Sequence, residues 1–299
     1  MTTECGRRAG AARCATVSRW LPFSCVDGPG NRLVLFLQGC NFACPGCHNP
    51  HTIGLCDHCG DCVLGCPSGA LTLHEGRVSW QAACCTDCDA CLDVCPRSAS
   101  PKTATMTVAE VLALLRRYGP LLTGITVSGG EATTQLPFVI ALFTAIKGAP
   151  DLARLGCLLD SNGSLAEAGW QRLLPVLDGA MIDLKGWHDS VHHTLTGYCR
   201  ERVLASLQLL AQAGKLAEVR LLQVPGQSDY LAADGTLDGG LAAFLHSLGP
   251  VPIRLNGFRH HGVRGTAQGW PEATREELEQ LASALAAAGL GPVTLPPLL

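Results

Sequence analysis

The chain is 299 residues long and 47% hydrophobic, enough apolar material for a buried core in one large domain or two ordinary ones. A net charge of −3 at pH 7 supplies no global basic field, so neither nucleic acid nor an anionic membrane surface is an expected partner. No apolar run is long enough to span a bilayer and the N-terminal stretch lacks an apolar signal region, which points to the cytoplasm.

In chain order, the first element to stand out is RLVLFL, a buried strand, preceded by VDGPGNR, where Asp27, Gly28, Pro29 and Gly30 have the composition of a tight turn. After the strand come Cys40, Cys44 and Cys47, spaced C-x3-C-x2-C. A cubane held by three thiolates leaves one iron open, which is the arrangement of a catalytic rather than a structural metal site. A structural zinc site using Cys40, Cys44, Cys47 and His48 is the alternative that spacing alone leaves standing.

Residues 55–100 change texture. Cys56, Cys59, Cys62 and Cys66 precede Pro67 in the pattern C-x2-C-x2-C-x3-C-P, and Cys85, Cys88, Cys91 and Cys95 repeat it before Pro96. Neither half has enough apolar side chains to hold itself together without metal. In such a repeat three thiolates serve one cluster and the fourth reaches the other, so Cys56, Cys59, Cys62 and Cys95 are expected on one [4Fe-4S] cluster and Cys85, Cys88, Cys91 and Cys66 on a second. Paired zinc sites are disfavoured, because zinc ribbons set two C-x2-C knuckles across a long gap. Seventeen cysteines would suggest disulfides in a small secreted chain, but eleven fall in these three runs. Cys5, Cys14, Cys25, Cys84, Cys157 and Cys199 read as ordinary buried or incidental thiols.

From residue 101 apolar strands alternate with amphipathic helices: helix VAEVLALLRRY, strand GITVS, helix LPFVIALFTAIKG, strand GCLLD, helix AEAGWQRLLPVL, strand AMIDL, helix RERVLASLQLLAQAG, strand AEVRLLQV, helix GGLAAFLHSLG, strand VPIRLNGF and helix TREELEQLASALAAAG. With RLVLFL counted first, six strands are each followed by a helix. This predicts an α/β fold on a parallel sheet, a partial (β/α)6 barrel interrupted by a ferredoxin-like two-cluster insert. Three parts are expected: 17–54 with the first strand and cluster loop, 55–100 as the insert, and 101–299 as the rest of the barrel. Every strand end carries polar or reactive residues, as ligand sites at the carboxyl ends of parallel strands require. Gly129 and Gly130 let backbone approach a ligand closely, Glu131 or a nearby carbonyl can accept from an ammonium, and Lys185, one of four lysines, offers a point cation for a carboxylate.

C-x3-C-x2-C after the first strand resembles the radical S-adenosylmethionine (SAM) superfamily. VDGPGNR, CHNP, VSGGEAT, LDSNG, MIDLKGWHD and VRLLQVPGQSD resemble more closely its glycyl-radical-enzyme activating enzymes, from about Ser24 to His261. The insert, with FRHHGVRG, is similar to the subset often called YjjW-type. The resemblance implies that Cys40, Cys44 and Cys47 hold the catalytic cluster and that SAM chelates its open iron. It implies reductive cleavage to a 5′-deoxyadenosyl radical that takes hydrogen from a glycine of a partner glycyl radical enzyme. It further implies cofactor contacts at Gly46, Cys47 and His48, at Gly129, Gly130 and Glu131, at Asp183, Leu184 and Lys185, and at Arg259 and His260. A monovalent cation at Asp160, Ser161, Met181 and Asp183 and a flavodoxin- or ferredoxin-type electron donor complete the picture. An iron-sulfur electron-transfer protein and a radical SAM enzyme acting on a small molecule are the competing functions.

Overall fold

The computed structural model describes residues 13–296. Its strands are β1 (Cys14–Ser24), β2 (Arg32–Leu37), β3 (Leu71–His74), β4 (Arg77–Trp80), β5 (Ala104–Thr107), β6 (Gly124–Gly129), β7 (Gly156–Ser161), β8 (Gly179–Leu184), β9 (Leu216–Gln223), β10 (Ile253–Gly257) and β11 (Val293–Thr294). The helices are α1 (Ala90–Asp93), α2 (Val108–Tyr118), α3 (Leu136–Gly148), α4 (Glu167–Leu173), α5 (Asp189–Thr196), α6 (Glu201–Gln212), α7 (Gly239–Ser247) and α8 (Arg275–Ala287). All six expected strands and all six expected helices form.

The chain divides into two compact units. One holds the described residues up to Asn41 with Asn49–Gly156, and the other holds Phe42–His48 with Cys157 onward. In the first unit the strand order is β6-β2-β1-β5, with β2 parallel to β6 and β1 antiparallel to both β2 and β5. In the second the order is β11-β10-β9-β8-β7 and every pair is parallel. Near-continuous burial of β2, β6, β7 and β8 follows from covering both faces of parallel strands. The helices are started by side chains the sequence supplies: Thr107 with Glu110 and Thr274 with Glu277 form capping boxes at α2 and α8.

The six-strand count needs correction. β1 and β5 flank β2 on its far side, and β11 follows β10. β1 escaped notice because CATVSRWLPFS carries Pro22 and charged or polar residues, which argue against a paired strand. β5 pairs only with Cys14–Val17, and a register shift falls between Leu21 and Ser24, so Pro22 sits where no donor is needed on the β5 side. The expected start of the barrel at residue 17 therefore lies inside β1. Cys14, expected as an incidental thiol, is disulfide-bonded; Cys5 and residues 297–299 lie outside the described residues. α5 was absent from the expected elements, and residues 55–100 group with their flanking strands rather than standing apart.

The turn VDGPGNR is built on buried Arg32. Its guanidinium donates to Thr126 Oγ1 (2.7 Å), to the carbonyls of Ile125 (2.7 Å) and Gly156 (2.7 Å), and to Pro29 O (3.2 Å). Thr126 Oγ1 in turn donates to the carbonyl of Asp27 (2.6 Å). One cation thus satisfies strand-end carbonyls and closes the turn. Arg32→Met should cost on the order of 3 kcal/mol of unfolding free energy, read as a lowered denaturation midpoint.

Candidate functional site

The cysteine loop is divided between the two units. Cys40 belongs to the first, where its amide donates to Ile53 O (3.0 Å) and the neighbouring Gly39 amide donates to Thr52 O (2.8 Å). The turn after β6 packs on the same segment: the amides of Gly130 and Glu131 donate to Leu37 O (3.0 Å) and Gly39 O (2.8 Å). A Cβ on Gly129 (φ +134°) would strike the backbone of Leu37, and one on Gly130 would meet the carbonyls of Gly39 and Thr52. The immediate need for both glycines is thus close packing of backbone on backbone, a sharper reason than ligand approach. Buried Glu131 spends Oε1 on the amide (3.0 Å) and hydroxyl (2.6 Å) of Thr133, capping the turn that leads into α3.

Phe42–His48 belongs to the second unit and is gripped at both ends. Phe42 stacks on Tyr198 (5.0 Å between centroids, 20°) and meets buried His192 edge-on (6.0 Å, 84°), while the Ala43 amide donates to Thr196 O (3.1 Å). At the other end a Cβ on Gly46 would press against Phe258 and Trp270, and one on Gly262 would collide with the carbonyl of His48. These apolar and aromatic supports were missed because none carries a motif. Only their place, after β8 and after β10, could have suggested them.

Lys185 is the electrostatic centre of this unit. Its ammonium donates to Asp183 Oδ2 (2.7 Å). Burial would lower the Lys185 pKa, but Asp183 and the Cys44 and Cys47 thiols outweigh it and raise it. For Cys44, burial pushes the thiol up to about 11, against the pull of Lys185. Burial and the Lys185 charge both depress His48, favouring its neutral form near pH 7. Leu184 is fully buried and its carbonyl accepts from Tyr230 Oη (2.7 Å), while Asp229 accepts from the Trp187 amide (2.7 Å), so the QSD segment clamps DLKGWH from behind.

Asp160, Met181 and Asp183 do come together, but around a side chain that was not anticipated. Arg220 on β9 donates to Asp160 Oδ1 (2.9 Å), Met181 Sδ (3.0 Å) and Glu218 Oε1 (2.7 Å). Burial would raise the Asp183 carboxyl, yet the charges of Lys185 and Arg220 hold it below the usual carboxylate range. The acidic residues therefore have their positive charge from Arg220 and Lys185, and a bound cation is not needed to relieve repulsion between them. Ser161 is buried and caps Gly163, whose amide donates to its Oγ (3.1 Å). Arg259 and His260 are half exposed and turn to Glu272, whose carboxylate accepts from Arg259 (3.3 Å) and from the His260 amide (2.7 Å). Phe258, between β10 and this pair, is the residue that faces the cysteine loop.

Removing Arg220 leaves buried carboxylates uncompensated. Arg220→Gln should destabilise the fold by about 3 kcal/mol, and added potassium should raise its melting temperature more than that of the parent.

The Radical SAM superfamily profile matches residues 34–230. An isethionate sulfite-lyase activating enzyme of Nitratidesulfovibrio vulgaris is 31% identical over 229 residues, 69% of this chain and 73% of the relative. A benzylsuccinate synthase activating enzyme of Thauera aromatica is 28% identical over 302 residues, 90% of this chain and 88% of the relative. In fold alone, the crystal structure of QueE from Escherichia coli superposes with a TM-score of 0.51 over 95% of each chain, at 14% identity. With strands that are mostly parallel, a cysteine loop after β2 and activating enzymes as its relatives, the chain belongs to the radical SAM superfamily, among the glycyl-radical-enzyme activating enzymes.

Proposed function

We propose that this protein installs a glycyl radical in a partner enzyme, and that the observation carrying this reading is the cysteine loop seated beside the buried Lys185–Asp183 pair. Family membership brings a [4Fe-4S] cluster and SAM, and the residues present fit both. Cys40, Cys44 and Cys47 form no disulfide, and the Lys185 charge acts on Cys44. When bound, reduced cluster and SAM together supply a 5′-deoxyadenosyl radical, which takes hydrogen from a glycine Cα that no side chain shields.

The chain's own residues then have definite tasks. Cys40, Cys44 and Cys47 hold the cluster. Lys185, fixed by Asp183, would pair with the cofactor carboxylate, and backbone carbonyls at Gly129, Gly130 and Glu131 would accept from the cofactor ammonium. Gly46, Leu184 and neutral His48 would line the site that takes the nucleoside, and Phe258 supports Gly46 and His48 of the loop. Arg259 and His260 would border the same site. Asp160, Ser161, Met181 and Asp183 remain the place for any monovalent cation, sharing their charge with Arg220. We read β2, β6, β7, β8, β9 and β10 as the six strands of a partial (β/α)6 barrel, with β1, β5 and β11 as additions to it and 55–100 as its insert.

The insert is read as two further [4Fe-4S] sites, making three clusters in all. Cys62 and Cys91 lie buried in its small core with Leu71 and Val78, and Cys66 lines one recess with Cys85, Cys88 and Cys91, the crossed set that the repeat implies. Electrons would enter here from a flavodoxin- or ferredoxin-type donor. Fifteen cysteines of the described residues form no disulfide, which suits a reducing cytoplasm. Among the described residues no helix is long and apolar enough to cross a membrane.

The test is anaerobic. Protein reconstituted with iron and sulfide, reduced with dithionite and given SAM should release 5′-deoxyadenosine, and Cys44→Ala should release none above background. With a cognate glycyl radical enzyme present, an electron paramagnetic resonance doublet from the glycine α-hydrogen should appear. Fully loaded protein that makes no 5′-deoxyadenosine even with partners would favour the electron-transfer function instead. Product formed only with a small molecule, and without a protein radical, would favour the other.

A further inference from the structure

The insert is not symmetric about its two halves. β3 and β4 form an antiparallel hairpin between the cysteine runs, and Trp80 closes β4. Its indole packs on the core of Cys62, Leu71, Val78 and Cys91. It also lines the recess shared by Cys66, Cys85, Cys88 and Cys91. The Trp80 Nε1–H is buried and has no hydrogen-bond partner among the described residues. Indole N–H groups that are buried ordinarily find an acceptor, and the recess that Trp80 lines holds four thiols besides Ser68 and Asp89. Lys102 lines the same recess, its ammonium held by Asp87 (3.1 Å) and Asp89 (2.6 Å) and its side chain only 16% exposed. The first run is served differently: the His58 amide donates to Cys56 Sγ (3.4 Å), and its cation, Arg97 on Asp57 (2.6 Å), is 47% exposed and so screened by solvent. Beside Cys56, His58 Nδ1 is already taken by the Val78 amide (3.2 Å), and near Cys59 stands the carboxylate of Asp57, which accepts from the Cys59 amide (3.3 Å).

We infer that Trp80, supported by Lys102, sets the cluster held by Cys66, Cys85, Cys88 and Cys91 at a higher reduction potential than its neighbour, so that the insert is a graded relay in which an incoming electron rests on this second cluster. The inference depends on the two-cluster reading of the repeat. An electron added to a cluster increases its negative charge, and an N–H donor to its sulfur or a nearby ammonium stabilises that form. Lys102 acts in the same direction, because without it Asp87 and Asp89 would stand unneutralised beside the site. The electron comes from the one-electron donor named above, and no bond is made or broken.

The measurement is a potentiometric titration followed by electron paramagnetic resonance on the full reconstituted chain, with iron and sulfide counted in each sample. The cluster of Cys40, Cys44 and Cys47 is recognised by the change of its signal when SAM is added. Wild type should show two separate midpoints for the other two clusters, and Trp80→Phe should lower the higher one alone, with iron content unchanged. Lys102→Met should move the same midpoint in the same direction, and it decides the matter if Trp80→Phe loses iron. Coincident midpoints in wild type, or two midpoints unmoved in fully loaded variants, overturn the inference. Wild type that holds zinc, or iron for one cluster only, overturns the reading of the repeat itself.

Discussion

Parallel alignment of the strands is the constraint from which the rest follows. Parallel strands cannot be joined by tight hairpins, so each needs a crossover, and every crossover leaves its strand by the carboxyl end. From β7 to β11 those ends accumulate on one edge, and there Ser161, Asp183, Leu184, Gln223 and Gly257 occupy the last positions of their strands. Polar groups gathered at such an edge must be satisfied by one another or by a ligand. The ion pairs of Lys185 with Asp183 and of Arg220 with Asp160 are the part of this demand that the chain meets by itself.

This arrangement explains why a lysine and an arginine divide the work. Arg220 has a planar fork that reaches a carboxylate, a thioether and a second carboxylate at once, which suits a fixed role between strands. Lys185 is a compact charge on a flexible stem, held by one carboxylate and free in its other donors to meet an incoming acid. The cysteine loop is placed by quite different forces. Phe42 against Tyr198 and His192, and Gly46 against Phe258, are packing contacts that hold the loop without spending any thiol. Aromatic packing fixes the backbone of the loop, while the Lys185 charge at the strand end acts on its Cys44 and His48 side chains.

The insert follows another logic. Its shared core is a handful of side chains, two of them cysteines, and its remaining stability depends on ties to what flanks it. The Gly54 amide donates to Ser98 O (3.4 Å) and the Ser100 amide to His51 O (3.1 Å), so both ends of the insert meet the segment that follows the cysteine loop.

Much of this was legible in the residues alone. Six strands and six helices follow from apolar periodicity, and the family follows from motifs that surround the first three cysteines. Periodicity failed at β1, where Pro22 and polar residues hide a strand whose partners lie on either side of it. It failed again at α5, a helix of two turns with little apolar character. What sequence could not show is which charges meet. Asp160 and Asp183 were visible as carboxylates at strand ends, but Arg220 lies some sixty residues from Asp160 and no local pattern pairs them. Likewise nothing in the order of letters separates Trp80 from an ordinary core tryptophan; only folding makes it line a recess with four cysteines and leaves its N–H buried. Spacing along the chain records what neighbours in sequence can do together, whereas ion pairs and buried donors depend on approach between distant strands, and that is decided by the tertiary structure.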